Sequence, residues 1–294
     1  MGAGVATSPD PVAASTPTDD FLVAQVFEQL TTTTADGQVA PLLATDWSSS
    51  SGGIVWVFDL RSGVRFHDGR PLEAADVVAT FASLTSVTAP PDVRARFGGI
   101  VSVIALDPTR VEFILRTADP AFSRVVADAR ASIRPRPATP GQTGGGSSTT
   151  GTTGSTGAGA LGSLIGTGPF ALRSFSPRDR ALLVRNPDYW GADAEGHHLP
   201  CLDEVQVVFS ADVAAEVVAL QGGELQLVMA LTPELATTVA GDSRLTLLVG
   251  PGSTPLAPGG FAGVDAGVTG IVLAQPWPRT SLASAWFVGK TEKP

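Results

Sequence analysis

The stretch WVFDLRSGVRFHDGRPLEAADVVATF, residues 56–81, contains the strongest structural pattern in the chain. Trp56, Phe58 and Leu60 alternate with other residues and share one face, which predicts a strand over residues 54–60. A short reversal at RSG, a second strand through Val64 and Phe66, and an Asp-Gly turn follow. Residues 73–84 then have the apolar spacing of a helix. The stretch therefore predicts a β-hairpin, a turn and a helix.

The bulk composition is that of a globular protein with few charges. The chain has 294 residues, of which 43% are apolar and 16% charged, enough for one large or two ordinary domains. Its net charge is −9 and its pI is near 4.8. Because a negatively charged protein is repelled by phosphate backbones, we expect no nucleic-acid partner. Cys201 is the single cysteine, which excludes an internal disulfide. No apolar run reaches the ~20 residues of a membrane helix.

Strand and helix patterns are interspersed along the rest of the chain. Further helices are predicted at 19–30, 121–130 and 212–223, and strands at 100–106, 110–115, 166–175, 180–186 and 204–210. A strand, a helix and a strand follow up to residue 250. Residues 135–163 are mostly Gly, Ser, Thr and Pro, which predicts a flexible loop. Residues 251–294 have poor periodicity and predict an irregular tail. The predicted fold class is α/β or mixed α+β.

Two short motifs suggest catalysis or nucleotide binding, and both have a simpler interpretation. His67 and Asp68 are adjacent, so in an extended chain their side chains point apart and cannot form a base and its orienting partner. We expect a turn there instead. GAGALG, residues 157–162, matches a dinucleotide fingerprint, but it follows a glycine-rich tract rather than a buried strand. We expect no catalytic residues, no enzyme activity and no cofactor.

Two other sets of residues are weak candidates for binding. His197, His198 and Cys201 form an H-H-x-x-C cluster that offers zinc or nickel ligands, with a carboxylate such as Asp203 needed to complete a site. The alternative is a polar loop between two strands. Tyr189 and Trp190 follow a turn in RNPDYWG, and these aromatics either stack on a ligand or pack against the sheet.

Several segments, in this order, resemble one protein family. They are FLVAQVFEQL, VAPLLATDW, the opening stretch, GTGPFALRSF, VRNPDYWG and LDEVQVVFSADVAAEVVALQGGELQLV, and they lie within residues 8–250. Together they resemble the extracytoplasmic solute-binding proteins of peptide, dipeptide and nickel ABC importers, family 5 of the bacterial extracellular binding proteins. SPDP, residues 8–11, resembles the loop that follows the family's first strand.

The resemblance implies a fold, a function and partners. It implies a periplasmic-binding-protein type II-like clamshell of two α/β lobes, with only lobe I and its inserted domain represented here. Lobe I would comprise residues 1–35 and 164–250, and the inserted domain residues 36–134. The implied function is capture of a peptide or similar small solute and its delivery to an ABC permease. The implied protein is a monomer in the periplasm or at the cell surface.

The resemblance has gaps at both ends of the chain. No signal peptide, lipid-attachment cysteine or first strand is recognisable before Ser8, and the second lobe's pattern is missing after Gly250. We therefore expect a truncated or frame-shifted product. The alternative function is a non-functional remnant, or a one-lobe interaction module without ligand binding. The residues that grip a ligand's ends are expected mostly in the missing half.

Overall fold

In the computed structural model, the protein consists of two sheets with helices packed on them. The described residues are 2–3, 6–34, 37–137, 164–193, 195–229, 235, 239, 242, 244–249 and 270–274. The helices are α1 (Pro17–Val26), α2 (Ala74–Leu84), α3 (Pro91–Phe97), α4 (Phe122–Val125) and α5 (Val213–Gln221), with a 3-10 turn at Ala129–Ala131. The strands are β1 (Gly2–Ala3), β2 (Thr31–Thr33), β3 (Val39–Pro41), β4 (Ala44–Ser50), β5 (Val55–Leu60), β6 (Ile100–Asp107), β7 (Arg110–Leu115), β8 (Phe170–Ser176), β9 (Arg180–Arg185), β10 (Glu204–Phe209), β11 (Leu227–Met229), β12 (Leu245–Val249) and β13 (Gly270–Ala274).

A four-stranded antiparallel sheet, with strand order β4-β5-β7-β6, carries what we call the small-sheet core. Trp56, Phe58 and Leu60 of β5 are at most 6% exposed, because alternate residues of a strand share a face. Val77 and Phe81 of α2 are fully buried in the same cluster. The strand and the helix predicted from the opening stretch therefore build this core together.

A second sheet has the strand order β12-β13-β11-β1-β10-β9-β8 within the described residues, and we call its hydrophobic cluster the large-sheet core. β1 lies at the centre and runs parallel to both β10 and β11, whereas β8, β9 and β10 pair antiparallel. Leu22 and Val26 of α1 are fully buried against Phe170 of β8 and Leu183 of β9. No helix in the described part of the chain is long and apolar enough to span a membrane.

The chain passes between the two cores at two points that lie side by side. Phe27 belongs to the large-sheet core and Leu30 to the small-sheet core, so the first crossing occurs between them. At the second crossing, the Ile133 N–H donates to the carbonyl of Glu28 at 2.9 Å. The Gly168 N–H donates to the Val26 carbonyl at 3.0 Å. Main-chain hydrogen bonds thus join the outgoing segment, residues 26–30, to Ile133 and to the returning segment, residues 164–170.

The first residues of the chain form a strand that the sequence pattern does not predict. Gly2–Ala3 forms β1, with Gly2 in register with Val208 of β10 and Val228 of β11. The expectation that no first strand precedes Ser8 is therefore wrong. A strand of small residues held between two neighbours needs no alternating pattern of its own, so it leaves no periodic signal.

Helix α1 begins and ends earlier in the chain than the helix predicted over residues 19–30. It begins at Pro17 rather than residue 19, because the Thr16 hydroxyl accepts the N–H of Asp19 and the Asp19 side chain completes a capping box. It ends at Val26, since Phe27 is already extended with φ −122° and ψ 155°.

The hairpin predicted around β5 has a different partner strand. Residues 64–66 form no strand, although Arg65 makes an isolated bridge with Pro71, and β5 pairs instead with β4 and β7. β4 was not predicted, because its sequence ATDWSSS lacks apolar alternation. An edge strand exposed on most of its length needs little apolar surface, which explains the missing signal.

Other differences concern the predicted helix at 121–130 and the tail. The helix is divided into α4 and a 3-10 turn at Ala129–Ala131. Residues 251–294 were expected to be irregular, but Gly270–Ala274 forms β13 between β11 and β12. Most of the flexible loop predicted at 135–163, and most of the helix predicted in TPELATTVA, lie outside the described residues.

Glycine is required at position 166, where the returning segment touches α1. A Cβ atom on Gly166 would meet the carbonyl of Val26, and a Cβ on Gly168 would lie 2.5 Å from the carbonyl oxygen of Gln25. Both obstacles are main chain and cannot rotate away. Close contact between two backbones therefore sets how the returning segment docks.

We predict that Gly166→Ala lowers the free energy of unfolding by roughly 2–4 kcal/mol, because the added methyl group forces the docked segments apart. Chemical denaturation followed by circular dichroism measures this change. Gly99→Ala is the matched control, since a Cβ at exposed Gly99 meets nothing within 4 Å. Equal stability of the two variants would contradict the prediction.

Candidate functional site

A cavity of about 290 Å³ lies between the loop after β1 and the C-terminal end of α2. Asp10, Val12 and Ala13 contribute one wall. Ser83 and Leu84 of α2, with residues 88–90 that follow it, contribute the opposite wall. The cavity therefore lies between the loop that follows β1 and the small-sheet core.

An ion pair borders this cavity. The Arg134 guanidinium lies 3.6 Å from the Asp10 carboxylate, with side chains 25% and 36% exposed, respectively. The Arg134 main chain is fixed to α2, since its N–H donates to the Thr80 hydroxyl, which donates in turn to the Arg134 carbonyl. A pair this exposed contributes little to stability. Both charges are therefore available to a ligand that enters the cavity.

Asp19 holds the loop that carries Asp10. Its side chain is fully buried and accepts hydrogen bonds from the main-chain N–H groups of Thr7, Ser8, Ser15 and Thr16. The Thr7 hydroxyl donates as well, at 2.7 Å. Burial raises the pKa of Asp19, but the hydrogen bonds outweigh burial and hold that pKa below its ordinary value. One carboxylate of α1 thus organises the loop of residues 7–16.

A second buried carboxylate, Glu28, lies at the crossing between the cores and is 3% exposed. The Thr167 hydroxyl donates to Oε2 at 2.8 Å, and the Tyr189 hydroxyl donates to Oε1 at 3.0 Å. The Trp190 indole N–H lies 3.1 Å from Oε1 and 3.0 Å from Oε2. Burial raises the pKa of Glu28 to about 7, despite these hydrogen bonds and the charge of Arg61, which lower it.

The aromatic pair predicted to stack on a ligand or on the sheet lies in this Glu28 cluster. The polar ends of Tyr189 and Trp190 point to the Glu28 carboxylate, and neither residue lines the cavity. The Arg61 guanidinium lies 4.0 Å from the centroid of the Trp190 ring, within cation–π distance. A ligand-stacking role for the pair stays a prediction.

His67 and Asp68 have separate partners, as expected for a turn. The His67 Nδ1 accepts the N–H of Gly166 at 3.3 Å, and Nε2 lies 3.0 Å from the Gly168 carbonyl oxygen. Asp68 pairs with Arg70 at 2.8 Å. Burial lowers the pKa of His67, against the Gly168 contact and the charge of Asp68. His67 therefore joins the small-sheet core to the returning segment.

The predicted metal ligands are not brought together. His197 groups with Asp193 and Glu195, whose ligand atoms lie within 4.8 Å of one another, whereas His198 and Cys201 are outside this group. Asp203, the suggested carboxylate, pairs with Arg185 at 2.8 Å. His197 and Glu195 are exposed. Metal ligation by the weak candidates His197, His198 and Cys201 therefore stays a hypothesis that the arrangement does not favour.

Sequence reasoning missed Asp10, Asp19, Glu28 and Arg134. Two signals were present. Asp19 follows Thr16 by three positions, which is the spacing of a capping box, and Glu28 interrupts the apolar run FLVAQVFEQL. A lone acid within an apolar run suggests a buried carboxylate, but the pattern does not indicate its partners.

The sequence of the chain matches one known protein family over most of its length. Residues 38–260 match the model of the bacterial extracellular solute-binding proteins, family 5, in the part described as its middle. The chain belongs to this family. Its members are binding proteins rather than enzymes, which fits the expectation that the chain is not an enzyme.

Several curated members of family 5 resemble the chain in sequence. The nickel-binding periplasmic protein of Escherichia coli is 28% identical over 72% of this chain and 37% of that protein. The glutathione-binding protein GsiB of E. coli is 25% identical over 83% of this chain and 44% of its own length. The di/tripeptide-binding protein 2 of Pseudomonas aeruginosa is 26% identical over 71% of this chain and 40% of that protein. The chain thus spans less than half the length of these relatives.

Solved structures of binding proteins have the same fold. The protein AgaA from Agrobacterium tumefaciens R10, in complex with agropinic acid, matches with a TM-score of 0.69 and 22% identity over 84% of this chain and 47% of that chain. NikA from Brucella suis, in complex with Fe(III)-EDTA, matches with a TM-score of 0.67 and 22% identity over 85% of this chain and 48% of that chain. The predicted fold class, part of a type II periplasmic-binding-protein clamshell, is confirmed.

We predict that Asp19→Asn lowers the free energy of unfolding by roughly 2–4 kcal/mol, because an amide nitrogen cannot accept the N–H groups of Ser15 and Thr16 and leaves them unpaired. The lowered pKa of Asp19 means that its stabilising contribution is present above the pKa of the unfolded chain and disappears as the pH falls through the lower folded pKa.

Denaturant unfolding of the wild-type protein and of the Asp19→Asn variant, repeated from pH 7 to pH 2.5, measures the loss of stability and its pH dependence. Exposed Asp20, the next residue of α1, is the control, and Asp20→Asn is expected to change stability by less than about 0.5 kcal/mol. An Asp19→Asn variant as stable as the Asp20→Asn variant would refute the role given to Asp19.

Proposed function

We propose that this chain provides solute binding for an ABC importer, as a component that captures a peptide or similar small solute and delivers it to a membrane permease. The match of residues 38–260 to family 5 carries the proposal. Relatives named for nickel, glutathione and di- or tripeptides support a small solute. The family's extracellular designation supports a location outside the cytoplasm.

We assign the solute to the cavity beside Asp10 and Arg134. Its walls come from the loop of residues 7–16 on one side and from the small-sheet core on the other, so a ligand there contacts two separate segments of the chain. A carboxylate on the ligand can replace Asp10 as the partner of Arg134, and an amino group can pair with Asp10. The charged ends of a peptide fit this pair, with Leu84 and Val12 beside its apolar parts.

We further propose that the small-sheet core is the inserted domain, residues 36–134, and that residues 1–35 and 164–250 belong to lobe I. The small-sheet core runs from Leu43 to Ile133 with the addition of Leu30, which supports this division. The large-sheet core combines residues 6–27 with residues 170–209.

Size-exclusion chromatography with light scattering tests the monomeric state that the resemblance implies.

A thermal-shift screen with dipeptides, oligopeptides, glutathione and nickel chelates tests the proposal. A solute at 100 times its Kd is expected to add about 2.7 kcal/mol to the free energy of unfolding. We expect at least one class to raise the melting temperature. A broad, non-cooperative transition that no class shifts would support the alternative, a chain that binds no solute.

We predict that Arg134→Met weakens binding of the solute found in this screen by roughly tenfold to 100-fold, because charge-assisted hydrogen bonds to the guanidinium are lost. Isothermal titration calorimetry measures the change in Kd. Arg116→Met is the control, since Arg116 is exposed and outside the cavity. An unchanged Kd in Arg134→Met would place the solute elsewhere.

A further inference from the structure

The Glu28 cluster joins separate parts of the fold through one carboxylate. Glu28 follows α1 at the first crossing, Thr167 lies on the returning segment, and Tyr189 and Trp190 lie on the loop after β9. These partners are 139, 161 and 162 positions away in the chain. The docking of these segments therefore depends on the state of a single side chain.

Trp190 connects this carboxylate to the small-sheet core. Its indole N–H donates to Glu28, and its ring packs against the hydrophobic cluster of that core. Arg61, which follows β5, lies over the ring and donates its Nε–H to the Leu42 carbonyl at 3.1 Å. Release of Trp190 would thus detach the loop after β9 from the small-sheet core and admit water to Glu28.

Few charged or titratable groups face Glu28. Among the described residues, Arg61 and Tyr189 are the ionisable groups that shift the pKa of Glu28. The returning segment LIGTGPF, residues 164–170, contains no charged residue. His67 contacts Gly166 and Gly168. Asp188 on the loop after β9 is exposed.

We propose that Glu28 is a proton-controlled latch that holds the loop of residues 186–190 and the returning segment against the small-sheet core. With its proton, the buried carboxyl group still accepts the Trp190 indole N–H, and one hydrogen bond reverses so that the hydroxyl oxygen of Thr167 or Tyr189 accepts the Glu28 O–H. Loss of the proton to water favours an open junction in which the carboxylate is hydrated. This device is independent of solute binding.

The sign and size of the effect follow from linkage. Burial raises the pKa of Glu28 from 4.5 to about 7 in the closed junction, whereas a hydrated carboxylate keeps the lower value. Opening therefore becomes more favourable as the pH rises between these two values. From pH 5.5 to pH 8.5, the opening constant is expected to rise about 30-fold.

Hydrogen exchange with mass spectrometry on the full chain tests the latch. The amides of Gly168, Asn186 and Tyr189 donate to main-chain carbonyls in the two segments and report their opening. After correction for intrinsic exchange, we expect their protection to fall about 30-fold between pH 5.5 and pH 8.5. Amides of β5 should stay better protected at both pH values, since the opening is local.

Glu28→Gln should make the protection of these segments independent of pH, because the side chain can no longer ionise. Glu216→Gln is the matched control. Glu216 is also 3% exposed with its pKa raised by burial to about 7, but it lies on α5. This control should retain the wild-type fall in protection.

Three results would overturn the latch. The first is protection of the wild-type segments that does not change with pH. The second is a Glu28→Gln variant that retains the fall. The third is exchange of β5 at the same rate as the two segments, since opening would then be global unfolding. If Glu28→Gln does not fold, the wild-type chain still decides the outcome through the first and third results.

Discussion

Close contact between two backbone segments sets the arrangement of the described structure. The chain leaves the large-sheet core after Phe27 and returns past the same point, where Gly166 and Gly168 lie against the main chain of α1. A side chain at either glycine would separate these segments. The two cores are apolar, but their junction is formed by main-chain hydrogen bonds and by the polar side chains of His67 and Glu28.

Two buried carboxylates at opposite ends of α1 have pKa values shifted in opposite directions. Asp19 accepts several main-chain N–H groups within one loop, and these hydrogen bonds outweigh burial, so its charged form is favoured. Glu28 is surrounded by side chains from distant segments, and burial outweighs their hydrogen bonds. Local main-chain donors therefore stabilise a permanent charge that shapes the cavity loop. The long-range junction instead contains a group that titrates near neutral pH.

Much of the fold was predictable because its elements are periodic. The alternation in Trp56–Leu60 and the helical spacing of Val77 and Phe81 specified β5 and α2, and the order of several motifs indicated the family. β1 and β4 were missed for a physical reason. A strand of two small residues and an exposed edge strand have little apolar surface of their own, so their pairing depends on neighbours that are distant in sequence.

The candidate site was less predictable than the fold. The aromatic residues Tyr189 and Trp190 were recognised, but their partner Glu28 lies more than 160 positions earlier in the chain. Single-sequence patterns report local spacing, whereas the cavity and the Glu28 cluster arise where segments meet after folding. Nearness in sequence likewise did not bring His198 and Cys201 into one group with His197, because the fold decides which side chains meet.

The hydrogen bond between the Ile133 N–H and the Glu28 carbonyl has an evolutionary consequence. It brings together the two ends of the segment that forms the small-sheet core, so the large sheet is connected to that segment as it would be to a short surface loop. Loop-closure entropy depends only weakly on length when the ends are fixed. The small-sheet core can therefore behave as a cassette, whose length and surface can diverge among relatives while the register of the large sheet is conserved.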